Sequence, residues 1–281
     1  MPGTLFVVST PIGNLEDVTL RALRVLRESA LVAAEDTRRT RGLLTHFDIS
    51  TPLLSLHEHN EHARVPELLA RLRSGDDVAL VTDAGTPLVS DPGLALVKAA
   101  RSAGIVVHAV PGPSAVLAAL VASGLAADAF TFIGFAPAKG RERDRWLAEV
   151  AAEPRTTVFF EAPHRVADTL ARLAGLAAGR EVVVARELTK LHEEIVSGPI
   201  EEVVGRLGEP RGEYTVVLAA AAEAVETPEA TDEALWRDYC DLTASSGMGR
   251  RDAIAALSRR YGCSSRQVFA ALERGRGAHT P

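Results

Sequence analysis

Along the first 110 residues, unbroken apolar runs alternate with stretches in which apolar residues recur every three or four positions. Short unbroken runs bounded by turn residues read as buried strands, and the longer repeat reads as helices with one buried stripe. LFVVS (5–9), ALVAA (30–34), DVALVT (77–82) and IVVHAV (105–110) are the runs. Between them DVTLRALRVLRES sets Leu20, Leu23 and Leu26 on one stripe and Arg21, Arg24 and Glu28 on another. HARVPELLARLRSG (62–75) is a helix closing at Gly75, and PGLALVKAARSAG is a helix with Pro92 near its start. Strand and helix in alternation predict an α/β domain on a largely parallel sheet, residues 1–113.

From Ser114 the texture changes. After the helix-like SAVLAALVASG, the runs TFIGFAP, TTVFFEAP, EVVVAREL, EEIVSGPIEEVV and EYTVVLAA follow closely, with one clear helical insert, RVADTLARLAGL. This spacing predicts a second α/β domain, 114–222, on a mixed and partly antiparallel sheet. AAEAVETPEATDEA (221–234) reads as a linker. ALWRDYCDLTA, RRDAIAALSRRYG and SSRQVFAALER then predict three short helices in a small C-terminal domain, 223–281. Within it one helix ends at Gly262 and a tight turn leads through Ser264 or Ser265 as N-cap into the next, which is helix-turn-helix spacing.

Charge changes the picture of that last domain. The net charge of the whole chain is −6, yet from Leu242 onward seven arginines face only Asp252 and Glu273, a balance of +5. An acidic body with a basic tail suggests a polyanionic partner met mainly by the tail, or a solvated helix face. No apolar run approaches a membrane span, and the N-terminal segment lacks the pattern of a signal peptide. Two cysteines, Cys240 and Cys263, are too few for a disulfide framework or a cysteine-based zinc site. A cytoplasmic protein without a membrane partner is expected.

The chemistry lies in the loops. STPIGN, EDTRRT, TDAGTPLVSDPG and VPGPSA each follow a predicted strand end, where open α/β sheets bind ligands. The first loop has a single glycine, so it is not a dinucleotide fingerprint, and Asp83 and Asp91 would repel a phosphate in the third. HEHNEH brings His57, His59 and His62 together, without a further ligand at a spacing that calls for a metal; a polar loop with Asn60 capping the next helix is expected.

STPIGNLEDVTLRAL, AAEDTRRTRGLL, HEHNE, VTDAGTPLVSDPG, VPGPSA, SGL, FIGFAP, EAPHR and RELTK occur in that order. In this the chain closely resembles the bacterial 16S ribosomal RNA (cytidine-2'-O)-methyltransferases of the tetrapyrrole methylase superfamily, over about residues 4–220. The resemblance implies two α/β domains with S-adenosylmethionine folded into the cleft between them, usually in a homodimer. It implies a cytidine ribose in the decoding region of 16S rRNA, within the small ribosomal subunit, as the target. A sulfonium and an ammonium suit an aspartate-bearing turn, and glycine lets the main chain approach. Matching motif to motif places Thr10, Pro11, Gly13, Asp83, Ala84, Gly85, Thr86, Pro87, Ser90, Ser114 and Ala115 along the cofactor. The superfamily's usual Gly-Asp-Pro stands here as Gly85-Thr86-Pro87, so the resemblance leaves open which aspartate, Asp83 or Asp91, faces it.

On the acceptor side, in-line methyl transfer gains most from alignment, and a base near the 2'-hydroxyl adds to it. Candidates for catalysis are Glu35 and Asp36 in EDTRRT, Glu161 and His164 in EAPHR, and Glu187 and Lys190 in RELTK. Arg38, Arg165 and Lys190 could hold flanking phosphates, and the resemblance makes the His57 loop substrate-facing. Lys139 and Lys190 are two of only three lysines against 28 arginines, so a compact ammonium is expected to matter at both. A 2'-hydroxyl target excludes DNA. Two other readings remain open: a small-molecule methyltransferase of tetrapyrrole synthesis, and a helix-turn-helix regulator without enzymatic activity.

Overall fold

The computed structural model describes residues 1–221, 230–245, 248–261 and 263–278. The expected helix end at Gly262 and most of the expected linker lie outside them. The chain forms two compact units, Met1–Ala221 and Ala222–Pro281.

The first unit opens with β1 (Thr4–Val8), α1 (Leu20–Glu28), β2 (Leu31–Ala34), α2 (Thr37–His46), β3 (Leu53–Ser55), α3 (Glu61–Ser74), β4 (Val78–Val81), α4 (Leu94–Ser102) and β5 (Val106–Val110). Their strands form one sheet in the order β3-β2-β4-β1-β5, parallel throughout. Alternate residues of each strand feed opposite faces. Leu5, Val78 and Leu80 pack with Leu68, Leu72 and Leu96 of α3 and α4, while Val8, Ala79 and Val81 pack with Ala22, Val25 and Leu26 of α1. β2 and β4 are buried at every position, which is why they read as unbroken apolar runs, whereas β5 at the sheet edge is exposed at Val106, His108 and Ala109.

A second sheet follows. α5 (Ala115–Ser123), β6 (Phe130–Phe135), α6 (Gly140–Ala152), β7 (Thr156–Glu161), α7 (Val166–Leu176), β8 (Glu181–Arg186), β9 (Glu194–Pro199), α8 (Ile200–Val204) and β10 (Tyr214–Leu218) build it. The order is β6-β7-β10-β8-β9, with only β6 and β7 parallel. α5 covers one face through Val116, Ala119 and Leu120, and α6, α7 and α8 cover the other.

Four elements lie where the sequence pattern gave no sign of them. α2 begins inside EDTRRT, read as a loop, because Asp36 caps it by accepting from the Arg38 amide. α6 begins in the charged FAPAKGRERDR, and its apolar residues Trp146, Leu147 and Val150 come only in its later turns. β3 has three residues and α8 five, too short to show a period. Asn60 sits at the head of α3 but caps nothing there with its side chain, which accepts from the His57 amide instead.

The second unit is three helices, α9 (Asp232–Ser245), α10 (Arg250–Arg260) and α11 (Ser265–Ala278). They enclose Leu235, Leu257, Tyr261, Val268, Ala271 and Leu272. Ser264 is the N-cap of α11. Its hydroxyl accepts from the Gln267 amide and the Gln267 side chain accepts from the Ser264 amide, a reciprocal capping box. Among the described residues no helix is long and apolar enough to cross a membrane.

Candidate functional site

Because β1 to β5 are all parallel, the loops that leave them emerge at one sheet edge. Three of these loops are stitched together. Thr10 and Gly85 form an antiparallel bridge, the Thr10 hydroxyl donates to the Thr82 carbonyl, and the Ser9 and Thr86 hydroxyls meet at 2.9 Å. Thr86 also reaches the Pro113 carbonyl at 3.4 Å. Thr10 and Pro87 are both buried.

The loop after β2 adds a second layer. Glu35 Oε2 accepts from the Thr82 hydroxyl at 2.7 Å and the Asp83 amide at 3.3 Å. Asp83 Oδ1 in turn accepts from the Asp36 amide at 2.9 Å, and its Oδ2 lies 3.5 Å from Arg39 Nε. Asp36 turns away, binding the Arg38 guanidinium through both oxygens, and this pairing holds its carboxyl far below the usual carboxylate range. Arg38 is thereby folded back onto its own helix start. Burial raises the Asp83 carboxyl, and burial, with the charges of Glu35 and Asp83 beside it, pushes Asp91 up to about 6.

These loops and the second sheet enclose a cavity of about 420 Å³. Glu35, Asp83, Ala84, Gly85, Thr86, Ser90, Ser114, Ala115 and Glu161 line it, all singled out in the sequence. Asp91, left open there, lines it too. Ile12, Val116, Phe135 and Phe160 make an apolar wall, with Phe135 and Phe160 ring to ring at 5.1 Å. Arg39, Glu213 and Tyr214 also belong to the lining, and none of them stood out in the sequence. For Arg39 a signal existed: with Asp36 as cap, Arg38 and Arg39 leave the helix in different directions. For Phe135 the signal is Gly134, whose positive φ of 69° bends β6 where its register with β7 shifts.

Two further expected residues, Glu187 and Lys190, form a clamp with Glu213 beside the cavity. Lys190 Nζ donates to Glu187 Oε1 at 2.9 Å and Glu213 Oε2 at 3.1 Å, and Glu187 also accepts from the Glu213 amide. The Lys190 ammonium thus holds the Glu187 carboxyl below its usual range. Glu187 and Thr189 both adopt positive φ, 51° and 66°, in a turn that the clamp over-determines. Gly13 lies against this turn, so close that a Cβ there would stand 2.5 Å from Lys190 Cγ. Pro11 belongs to the same first loop without joining the lining.

Glu161 is a different kind of residue from the one expected. Its side chain is fully buried, and Arg165 at 2.7 Å, the Thr169 hydroxyl at 2.6 Å, the Ala162 amide at 2.7 Å and Arg143 at 3.4 Å surround both oxygens. Arg143 itself is buried and donates to the Pro137 carbonyl, tying the loop after β6 to the loop after β7. Arg165 is thus occupied by Glu161, while His164 and Lys139 are exposed on those same two loops. His57 follows β3 at the shared sheet edge, with its Nδ1 buried and without a partner. No group of ligands that could hold a metal occurs among the described residues.

The lining brings together five carboxylates, of which Asp83, Glu161 and Glu213 already face cationic side chains, a backbone turn open to approach through Gly85 at φ 79°, and an aromatic-aliphatic wall. It favours cationic groups on an otherwise flat, apolar body over a phosphate.

Comparison with known proteins places this architecture. Residues 4–204 match the family model of the tetrapyrrole (corrin/porphyrin) methylases. The ribosomal RNA small subunit methyltransferase I of Xylella fastidiosa is 50% identical over 227 residues, 79% of this chain and 83% of that protein. The protein of the same name from Pseudomonas aeruginosa is 49% identical over 259 residues, 90% of this chain and 92% of its own. Among solved structures, uroporphyrin-III C-methyltransferase of Thermus thermophilus, complexed with S-adenosylhomocysteine, superimposes with a TM-score of 0.55 at 22% identity. That match uses 97% of the Thermus chain but 77% of this one.

Proposed function

Because the chain belongs to the tetrapyrrole methylases, we propose that it binds S-adenosylmethionine in the cavity at the sheet edge and methylates small-subunit ribosomal RNA. The acceptor is the 2'-hydroxyl of a cytidine in the decoding region of 16S rRNA, and the working form is a homodimer in the cytoplasm. The observation that carries this reading is the convergence of Asp83, Asp91 and Glu35 with Gly85 and the Phe135–Phe160 wall in one cavity.

The bound donor supplies a methyl group on a positively charged sulfur. Asp83 and Asp91 provide counter-charge to its cationic groups, and Gly85, Thr86, Ser114 and Ala115 let backbone groups meet its polar edges. Ile12, Val116 and Phe160 bury its flat part and keep water out. Above about pH 6 the Asp91 carboxyl is ionised, so the full counter-charge is in place at neutral pH.

The catalytic assignments separate by geometry. Glu35 lines the cavity and has one oxygen, Oε1, outside the Thr82 and Asp83 contacts, so it is the group that can take the proton of a ribose hydroxyl. Glu161 has no such freedom and acts by fixing the loop that carries Ala162 and Pro163. Asp36 holds α2, and Glu187 with Lys190 holds the turn against Gly13. Exposed Lys139 and His164 on the loops after β6 and β7, and exposed Arg38 in the first turn of α2, contact the RNA backbone, with His57 and Arg165 as further contacts.

The test is incubation with tritiated methyl donor and either free 16S RNA or assembled small subunits, followed by mapping of the modified ribose. Label on a single cytidine 2'-oxygen is the expected result. Label on a base, or on a tetrapyrrole alone, overturns the reading.

A further inference from the structure

Helix α11 turns Val268, Ala271 and Leu272 into the core of the second unit, leaving Arg266, Phe269 and Glu273 on its outer face. Phe269 is the exception on that face: a large apolar ring, 47% exposed, that takes no part in the core. Arg250, from the start of α10, places its guanidinium carbon 5.1 Å from the ring centroid. It is held there by an ion pair at 2.8 Å with Glu273, one turn beyond Phe269 on α11. Arg266 is exposed one turn before Phe269, and Arg251 is exposed beside Arg250.

We propose that Phe269, braced by Arg250 and flanked by Arg266, is a stacking platform for an unpaired base of the RNA substrate. The inference rests on the RNA reading above and assigns the second unit its part in it. An aromatic ring exposed among guanidinium groups matches a single strand on two counts, since bases stack on the ring while arginines meet the phosphates on either side. A duplex offers base edges and phosphates, but its interior bases keep their faces covered by stacking, so the ring would go unused there. A second copy of the same surface would bring like charges together, since Arg250, Arg251 and Arg266 are exposed around Phe269 and Glu273, the acid on that face of α11, is paired with Arg250. A polyanion is the partner this charge selects.

Stacking and electrostatics leave different signatures, and full-length variants separate them. Binding of a fluorescent single-stranded RNA oligonucleotide is measured by anisotropy over a range of salt concentrations. Phe269→Ala and Phe269→Leu are expected to weaken binding roughly 5- to 100-fold, and Phe269→Trp to retain it. The slope of log Kd against log salt stays unchanged in the Phe269 variants but falls by about 0.7 in Arg266→Ala. Equal affinity in wild type and Phe269→Leu overturns the platform, because an apolar contact without a ring face then suffices. A Phe269→Ala protein that sediments at lower mass than wild type overturns it as well, by making the ring a protein contact. Methyl transfer to small subunits, measured in parallel, separates the two levels. If wild type transfers methyl and Phe269→Ala matches it in both assays, the platform alone falls; if wild type neither transfers methyl nor binds RNA, the RNA reading falls with it.

Discussion

Thr10 and Gly85 exchange both of their backbone hydrogen bonds, at 2.8 Å in one direction and 3.0 Å in the other. Two loops 75 residues apart in the chain thereby act as one short piece of sheet. Ser9 and Thr86 repeat the link one residue along, on either side of the bridge. The cavity floor therefore owes its shape to main-chain pairing and hydroxyls, while Asp91 lines the cavity from outside that pairing. This division makes separate tests of shape and charge possible.

Shape is tested at Gly85. Its φ of 79° is strained for any residue with a Cβ, but a Cβ there would meet nothing nearer than Ile12 Cγ2 at 3.5 Å. Gly85→Ala should therefore fold, at a cost of about 1 kcal/mol. A loss of that size lowers Tm by about 2–4 °C in a unit of this length. Because Gly85 lines the cavity, the donor's Kd should rise at least about tenfold, the 1.4 kcal/mol of a single displaced backbone contact. Gly124→Ala is the control: its φ is 69°, nothing lies within 4 Å of its Cβ position, and it lines no cavity. It should lose the same few degrees and leave calorimetric donor affinity untouched.

Charge is tested at Asp91. Burial and neighbouring carboxylates raise its folded pKa from 3.8 to about 6, so the folded protein holds this proton more tightly than the unfolded chain. The proton's contribution to stability is complete below about pH 4 and is lost as pH rises through 6. Asp91→Asn should therefore raise the Tm of the ligand-free protein at pH 7.5 or so, with the gain fading toward pH 4. The same variant should bind the cationic donor more weakly at pH 7.5, and its affinity should lose the rise that wild type shows between about pH 5 and 7. A donor affinity unchanged by Asp91→Asn would place the counter-charge on Asp83 alone.

Glu161 separates support from chemistry. A buried carboxylate held by two arginines and a threonine is costly to break, about 3–5 kcal/mol when one partner is removed. Arg143→Met should show a loss of that order in urea denaturation. Glu161→Gln should lower the urea midpoint too, since Arg143 and Arg165 are left without their counter-charge. A Glu161→Gln protein of wild-type stability with abolished methyl transfer would return Glu161 to the role of base.

The sequence made the first sheet legible because each of its core strands is buried on both sides, as Leu5 and Val8 illustrate by feeding opposite cores. The cavity loops were legible as motifs, since Asp83, Gly85 and Ser114 line the cavity from within the motifs that carry them. What escaped is what depends on partners distant in the chain. Arg143 hides in a charged run because its carboxylate, Glu161, lies 18 residues on. Glu213 gave no signal at all, as its meaning comes from Lys190. α6 escaped for the related reason that its first turns spend their arginine on a buried ion pair in place of an apolar stripe.

The contact between Gly13 and the turn at Lys190 joins the two sheets beside the cavity, and it can be measured as a coupling. A Cβ at Gly13 would stand 2.5 Å from Lys190 Cγ, 2.8 Å from Thr189 Oγ1 and 2.9 Å from the Leu188 carbonyl. The lysine stem could swing away, but the carbonyl belongs to a turn fixed by Glu187 and Glu213, so Gly13→Ala must push two loops apart. Lys190→Ala removes Cγ and leaves the carbonyl, so it should relieve part of the damage and no more. The double variant is then more stable than the sum of the single losses, by about 0.5–3 kcal/mol in a thermodynamic cycle. Lys190→Met keeps the stem and removes only the charge, so it should restore none of that coupling. Its own effect follows pH: Lys190 holds the Glu187 carboxyl below 4.5, a contribution present above that pH and lost as pH falls. The gap in Tm between wild type and Lys190→Met should thus be widest near neutrality and close in acid. Strict additivity of Gly13→Ala and Lys190→Ala would mean that the loops do not lean on each other, and that the cavity keeps its shape without this turn.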